Sequence, residues 1–247
     1  MSSPPACGYL SVVIPAYNEE YAILTTIQET IAALNDASFE IIVVDDGSAD
    51  GTHAKIQQIA AADTRVRAVH YDLNQGKGHA LRYGFQFTCG DRVAFLDADL
   101  DLHPRHLLRF DALMTQTGAD IVIGCKRHPQ SVLDYPWHRR VVSAVYFFLV
   151  KLMFGLPIRD TQTGVKLFRR QALADALPRL IVKRFAHDLE LLVAAHHLGY
   201  SILEAPVALE YTRGKLGRIG LKAIITMWWD TMAVFYRMYL LRYYDRN

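Results

Sequence analysis

The sequence predicts an α/β protein with a mostly parallel sheet flanked by helices on both faces. Two observations carry this expectation. Short apolar runs rich in Val and Ile alternate with stretches of helical spacing through the first half of the chain. The turns after those runs, around Tyr17, Asp46 and Asp99, gather polar and acidic residues, as expected where a ligand sits beyond the carboxyl ends of the strands. The chain has 247 residues, 51% of them apolar, enough for one large domain or a domain with an appendage.

Leu10 to Ile14 reads as a strand stopped by Pro15, and Glu20 to Leu34 has helical spacing. Glu40 to Val44 reads as a second buried strand, Gly51 to Ala62 as a helix and Val66 to Val69 as a strand. Gly78 to Thr88 is a helix by the same reasoning, Arg92 to Leu96 a strand, Pro104 to Thr117 a helix and Asp120 to Gly124 a strand. The second half changes character. Val141 to Phe154 is strongly apolar around Lys151 and is too short to span a bilayer, which needs ~20 apolar residues. Ile219 to Leu241 is long enough but carries Lys222, Asp230 and Arg237. At about 100° per residue these fall in one narrow stripe, leaving a broad apolar face with Trp228 and Trp229. Such an amphipathic helix lies in a membrane interface, packs on the domain or joins a partner.

The net charge of +2 hides an asymmetry: residues 1–125 sum to −8 and residues 126–170 to +7. An acidic first half and a basic second half suggest two ligands of different kinds. No recognition motif supports a nucleic-acid partner. Met1 to Gly8 lacks the basic and apolar regions of a signal peptide. Cys7, Cys89 and Cys125 form no CxxC pair, which argues for a reducing cytosol and against a disulfide framework or a cysteine-based zinc site.

Chemistry concentrates at Asp97-Ala98-Asp99-Leu100-Asp101. Three carboxylates at alternating positions repel one another unless a cation or a hydrogen-bond network compensates them. Hard oxygen ligands of this kind suit Mg²⁺ or Mn²⁺ facing a phosphorylated substrate. The plainer reading is an acidic loop that caps the helix at Pro104. Pro15 to Glu20 and Asp45 to Thr52 lie on the same edge, where acidic side chains can meet a nucleobase or ribose hydroxyls. Asp50 also reads as a helix cap and Gly47 as a turn residue. Gly76-Lys77-Gly78 permits close backbone approach, with Lys77 available to a diphosphate.

Taken in order, Pro-Ala-Tyr-Asn-Glu, Asp-Asp-Gly-Ser, Gly-Lys-Gly and Asp-Ala-Asp resemble family-2 glycosyltransferases of the GT-A fold. Gly124 to Arg127, Arg139 to Ser143, Asp160 to Phe168 and Phe185 to Glu190 narrow the resemblance to polyprenyl- and dolichyl-phosphate hexose synthases, mannosyl or glucosyl, over roughly residues 10–215. The resemblance implies that Pro15, Tyr17, Glu19, Val44 and Asp46 line the nucleoside pocket, with Lys77 at the diphosphate. Asp97 and Ala98 would contact the nucleotide, and Asp97, Asp99 and Asp101 would approach Mg²⁺ or Mn²⁺. Some mannosyl members carry Gln at the position of Asp101, so this site is more anionic. Arg127, Arg139 and Ser143 match positions that hold the lipid phosphate, while Arg213 and Lys215 resemble a basic loop that closes over the donor diphosphate. Asp97, Asp99, Arg213 and Lys215 are therefore the expected catalytic set. Asp188 and Glu190 stand at a helix start, where they orient sugar hydroxyls or simply cap.

The implied reaction moves a hexose from GDP-mannose or UDP-glucose to polyprenyl or dolichyl phosphate with inversion. Residues 1–215 would form the glycosyltransferase domain, and 216–247 an amphipathic helix packed on it or on a membrane. The expected location is the cytoplasmic face of a membrane, held peripherally. Two other readings differ in class: a family-2 enzyme with an ordinary hydroxyl acceptor and Asp188 as base, and a binding module without catalysis.

Overall fold

The computed structural model describes residues 9–131, 137–182, 186–209 and 221–245, the side chains of 137–145 and 221–225 excepted. Among them, seven strands form a single sheet: β1 (Leu10–Ala16), β2 (Phe39–Asp46), β3 (Val66–Tyr71), β4 (Arg92–Leu96), β5 (Ile121–Cys125), β6 (Val165–Arg169) and β7 (Ile202–Pro206). Their order is β3-β2-β1-β4-β6-β5-β7. β1 pairs in parallel with β2 and β4, and β2 with β3, while β6 runs antiparallel between β4 and β5. The chain builds outward from β1 to β3 and then returns to β4 on the other side of β1. The crevice beyond the carboxyl ends of β1 and β4 is thus a switch point, the place where open α/β sheets bind ligands.

Alternation along the strands divides the core. Val12, Ile14, Ile41 and Val43 face one layer with α1 (Ile23–Ala33), α2 (Thr52–Ala62) and α4 (His106–Thr117). Val13, Ile42 and Val44 face the other, with α3 (Lys77–Phe85), α5 (Trp137–Phe154), α6 (Arg170–Ala176), α7 (His187–His197) and α8 (Leu221–Phe235). Side chains of period two buried on both faces explain why these strands read as continuous apolar runs.

Pro15 does not stop β1, which continues to Ala16. Pairing with β4 ends at Val13, so beyond it the strand faces only β2 and the missing N–H of Pro15 leaves no β4 partner orphaned. β6 and β7 had no counterpart in the sequence reading. β6 begins right after the polar Asp160 to Gly164 turn and contains a buried lysine, Lys166, which breaks the apolar pattern.

From Leu221, where the described residues resume, the C-terminal segment is helical as expected. α8 ends at Phe235, and a wider helical turn follows over Tyr236–Leu240. One side packs on the domain: Val234 is buried, the Phe235 ring meets Phe154, and the Thr231 hydroxyl lies 3.1 Å from that of Tyr146. Trp229, Met232 and Leu240 are exposed, as are Phe148 and Leu152 on α5. Among the described residues no helix is long and apolar enough to cross a membrane.

Candidate active site

The carboxyl ends of β1, β2 and β4 and the start of α3 enclose a cavity of about 490 Å³. Pro15, Tyr17, Glu19, Asp46, Lys77, Asp97, Ala98, Asp99 and Asp188 line it, joined by Asn74, Gly76 and Gln162. A second cavity of about 130 Å³ adjoins it and is lined by Asp97, Asp99, Asp101, Lys126 and Gln162. Asp97, Asp99 and Gln162 therefore stand on the wall between two compartments.

Each group is held for a physical reason. Asp46 is buried and accepts from the Tyr71 hydroxyl at 2.7 Å, the Asn74 amide at 3.0 Å, and the N–H groups of Gln75 and Gly76 at 2.7 and 2.9 Å. It thereby ties β2 to the loop that opens α3. Gly76 adopts φ +94°, a conformation that glycine takes at little cost. Lys77 begins α3 and places its ammonium 2.7 Å from Asp97 and 3.4 Å from Asp188. Burial works against that ammonium, but the charges of Asp188 and Asp97 outweigh it and hold the pKa above the usual lysine range.

Asp97 leaves β4 against Gly164, whose carbonyl accepts the Asp97 N–H at 3.1 Å. A Cβ at residue 164 would stand 2.2 Å from the Asp97 carboxylate, so only glycine leaves room for it. Leu100 sits at φ +61°, a costly conformation for a bulky residue, and it turns the chain between Asp99 and Asp101. The Asp101 N–H donates to Asp99 at 3.2 Å. Burial, then the neighbouring charges of Asp97 and Asp101, push the Asp99 pKa up to about 6. Asp97 has Lys77 beside it, but Asp99 is left short of compensating charge. A hard divalent cation fits such a donor set.

Asp188 opens α7 and is buried with Lys166 of β6, whose ammonium is 2.7 Å away. Lys166 also donates to the Thr163 carbonyl. Desolvation opposes the Asp188 charge, but Lys166 and Lys77 overcome it and hold the carboxyl below the usual carboxylate range. A carboxylate tied to two ammonium groups is a poor proton acceptor.

Several expected residues lie elsewhere. Val44 belongs to the core and lines neither cavity. Glu190 is fully buried away from both cavities. It accepts from the N–H groups of Ile181 and Val182 at 3.0 and 2.7 Å, and from Arg237 and the Tyr244 hydroxyl at 2.7 Å each. It anchors the C-terminal segment instead of facing a sugar, because a carboxylate at zero exposure needs donors on all sides. Arg237, expected on the polar stripe, turns inward to it. Arg127 lays its guanidinium over the Phe147 ring at 4.8 Å and lines neither cavity, whereas its neighbour Lys126 lines the second. The Lys126 N–H donates to Asp160 at 3.0 Å, which fixes that turn. Arg139 and Ser143 fall on α5, but their side chains lie outside the described residues, as do Arg213 and Lys215. Lys126, Gln162 and Lys166 had no role in the sequence reading. The basic pair Lys126-Arg127 was visible, but which cation faces the site depends on the twist of the chain after β5.

A switch-point cavity lined by strand-end carboxylates and a lysine at a helix start defines a GT-A type glycosyltransferase. The comparisons are specific: the chain belongs to glycosyl transferase family 2, whose family model matches residues 11–177. The glycosyltransferase AglD of Haloferax volcanii is 35% identical over 202 residues, 80% of this chain and 32% of that protein. A dolichyl-phosphate beta-glucosyltransferase of Trichomonas vaginalis is 33% identical over 256 residues, covering 98% of this chain and 78% of that protein. Among solved structures, glucosyl-3-phosphoglycerate synthase from Mycobacterium tuberculosis, in complex with Mn²⁺, uridine diphosphate and phosphoglyceric acid, has a TM-score of 0.68 at 25% identity, over 92% of this chain and 77% of that one. This chain spans about a third of the length of AglD.

Proposed function

We propose that this chain transfers a glucosyl unit from UDP-glucose to the phosphate of a polyprenyl or dolichyl phosphate, with inversion at the anomeric carbon. The observation that carries the reading is the pair of adjoining cavities that share Asp97, Asp99 and Gln162. A transferase needs two substrates in contact at one point. The larger cavity, with Tyr17, Glu19, Asp46 and Lys77, is the donor side. The smaller, with Lys126, is the acceptor side. The glucosyl preference rests on the Trichomonas relative, and GDP-mannose is the competing donor.

Asp97, Asp99 and Asp101 would hold Mg²⁺ or Mn²⁺, which when bound neutralises charge on a leaving diphosphate. Tyr17 and Asp46 position the nucleoside, and Lys77 meets the diphosphate. Asp188, braced by Lys166, faces the sugar. A phosphomonoester acceptor is largely ionised at pH 7, its second pKa being ~6. The acceptor oxygen is then already a nucleophile and needs no general base. The paired state of Asp188 supports this over a hydroxyl acceptor, for which it would have to take a proton. Arg139 and Ser143 are proposed to assist Lys126 at the lipid phosphate, and Arg213 and Lys215 to close over the donor.

The exposed Phe148, Leu152, Trp229 and Leu240 supply apolar contacts to a membrane surface, where the acceptor resides. We place the enzyme peripherally on the cytoplasmic face, with residues 1–215 as catalytic domain and 216–247 as interfacial segment. A panel of UDP- and GDP-sugars assayed with one polyprenyl phosphate tests the proposal. Glucosyl transfer from UDP-glucose is expected. Turnover confined to hydroxyl acceptors, or to GDP-mannose, would overturn the acceptor or the donor assignment respectively.

A further inference from the structure

Outside both cavities, three side chains converge at the end of β2. The Asp45 side chain is 1% exposed, and its Oδ2 lies 3.0 Å from Nδ1 of His53 and 2.9 Å from Nδ1 of His70. The histidines come from different elements, the first turn of α2 and the end of β3. Their ring centroids are 4.3 Å apart, and the three ligand atoms lie within 4.8 Å of one another. Two imidazoles and a carboxylate suit a borderline transition metal such as Zn²⁺, in contrast to the all-oxygen preference of Mg²⁺. The absence of paired cysteines does not bear on such a site, which uses no thiolate.

A second observation concerns the surrounding groups. Nε2 of His70, the nitrogen turned away from the cluster, faces the Asp72 carboxylate at 3.4 Å. Metal-binding histidines characteristically give their other nitrogen to a carboxylate, which fixes the tautomer and raises ligand basicity. The free oxygen of Asp45 is held as well, since Oδ1 accepts the Ser48 N–H at 3.0 Å. Zinc bonds of ~2.0–2.1 Å in a tetrahedron place ligand atoms about 3.3 Å apart. The two Asp45–imidazole distances, 3.0 and 2.9 Å, would need to open by a few tenths of an ångström, and rotation of the part-exposed imidazoles would set the spacing between their nitrogens, which now lie within 4.8 Å. His53 and His70 are part-exposed, so a fourth position can take water.

We propose that Asp45, His53 and His70 form a binding site for Zn²⁺ or a similar transition-metal ion, separate from the carboxylates of the active site. The site would brace the donor side. Ser48, whose N–H Asp45 holds, accepts the N–H of Asn18 on its hydroxyl at 3.0 Å, directly beside Tyr17. Occupancy would stiffen the turn on which Tyr17 rests.

The test reads metal binding without turnover, so its failure and failure of the proposed activity are distinguishable. The full chain is stripped with chelator, kept in excess Mg²⁺ to occupy hard-oxygen sites, and titrated with Co²⁺ followed by its visible d–d absorption. One equivalent is expected to bind with a tetrahedral-type spectrum and to be displaced by Zn²⁺. Loss of an outer-shell partner costs ~10–100-fold in metal affinity, so Asp72→Asn should weaken binding by about 10-fold and His53→Ala by more. His53 is part-exposed at the start of a helix, and a cooperative melting transition without metal will show that His53→Ala folds. A wild-type chain with no saturable site overturns the proposal. So does equal affinity in the wild type and His53→Ala, which would assign binding to thiolates or to Asp97 and Asp99.

Discussion

The two compartments proposed for donor and acceptor are built differently. On the donor side, side chains that follow three parallel strands meet in one cavity, and the protein itself satisfies most of their charges: Asp46 has four donors, and Asp188 has two lysines. The acceptor side is assembled from the turn after β5, the loop before the antiparallel β6, and segments from the basic half. Its defined cation, Lys126, is set by a local turn through its N–H to Asp160, and among the described residues no carboxylate forms an ion pair with its ammonium. A pre-organised site lowers the ordering cost of binding a flexible ligand such as a nucleotide sugar. The proposed acceptor, a lipid phosphate, would need an accessible one.

The sharpest way to break this contrast is to unlock the donor side. Asp188→Asn leaves the Lys166 ammonium, 1% exposed, without its counter-ion. Removing one partner of a buried ion pair costs about 3–5 kcal/mol, readable in urea unfolding. The sign with pH follows from the lowered Asp188 pKa. The stabilisation is fully present above the unfolded carboxylate value of about 3.9 and is lost as the pH falls below it. Acid titration of the wild type should show this loss, and Asp188→Asn should show a smaller one, since Asp50 and Asp63 are also held below the usual carboxylate range. A variant as stable as wild type would mean the lysines are not interlocked with it.

The next effect concerns chemistry more than folding. Asp99→Ala should lower transfer on the order of 10³-fold, about 4 kcal/mol, if the carboxylates hold a divalent cation. Its melting temperature without metal should match or exceed wild type, because one of three crowded carboxylates is gone. Chelation of the wild type should give a comparable loss of transfer. Full activity in chelator would remove the metal from the proposal.

Lys126→Ala and Arg127→Ala sharpen the acceptor side. A charge-assisted contact to phosphate is worth about 1.5–3 kcal/mol. Lys126→Ala should therefore raise the acceptor KM by about 10- to 100-fold and leave UDP affinity, measured by calorimetry, unchanged. Arg127→Ala, whose guanidinium rests on Phe147, should move the acceptor KM little. The reverse ranking would return the phosphate to Arg127.

The smallest effect is at the exposed apolar surface. Burying roughly 40 Å² of the Trp229 ring in a lipid interface is worth about 1 kcal/mol at ~25 cal/mol per Å². Trp229→Ala should weaken binding to anionic liposomes about 5-fold with no change in UDP affinity. Equal liposome binding by both proteins would leave α8 as a packing element alone.

The same contrast explains what could be read in advance. Asp97, Asp99 and Asp46 follow runs such as Val93 to Leu96 and Ile41 to Val44, so a strand assignment places them on a common edge. β6 defeated that logic because Lys166 interrupts its apolar pattern and its direction is antiparallel. The placement of Glu190 was hidden for another reason. Its position two residues after Asp188 on α7 turns it toward the C-terminal segment, and its partners Arg237 and Tyr244 are 47 and 54 residues away. Arg127 lies over the Phe147 ring of a later helix, a contact that its neighbours in sequence do not announce. The pair His53 and His70 carries no spacing signal at all, since two elements bring them together.

The position of β6 has a consequence for how the chain is made. β4 finds β1 on one side early in synthesis, but its other neighbour is encoded about 70 residues later. At ~5–20 residues per second of translation, the β4 edge waits several seconds for its partner. During that interval the nascent protein carries an open edge of Val, Ala, Phe and Leu, the kind of template that recruits other chains. The ribosome-bound intermediate, ending before Val165, is thus where a chaperone or low translation temperature should most improve the yield of soluble enzyme.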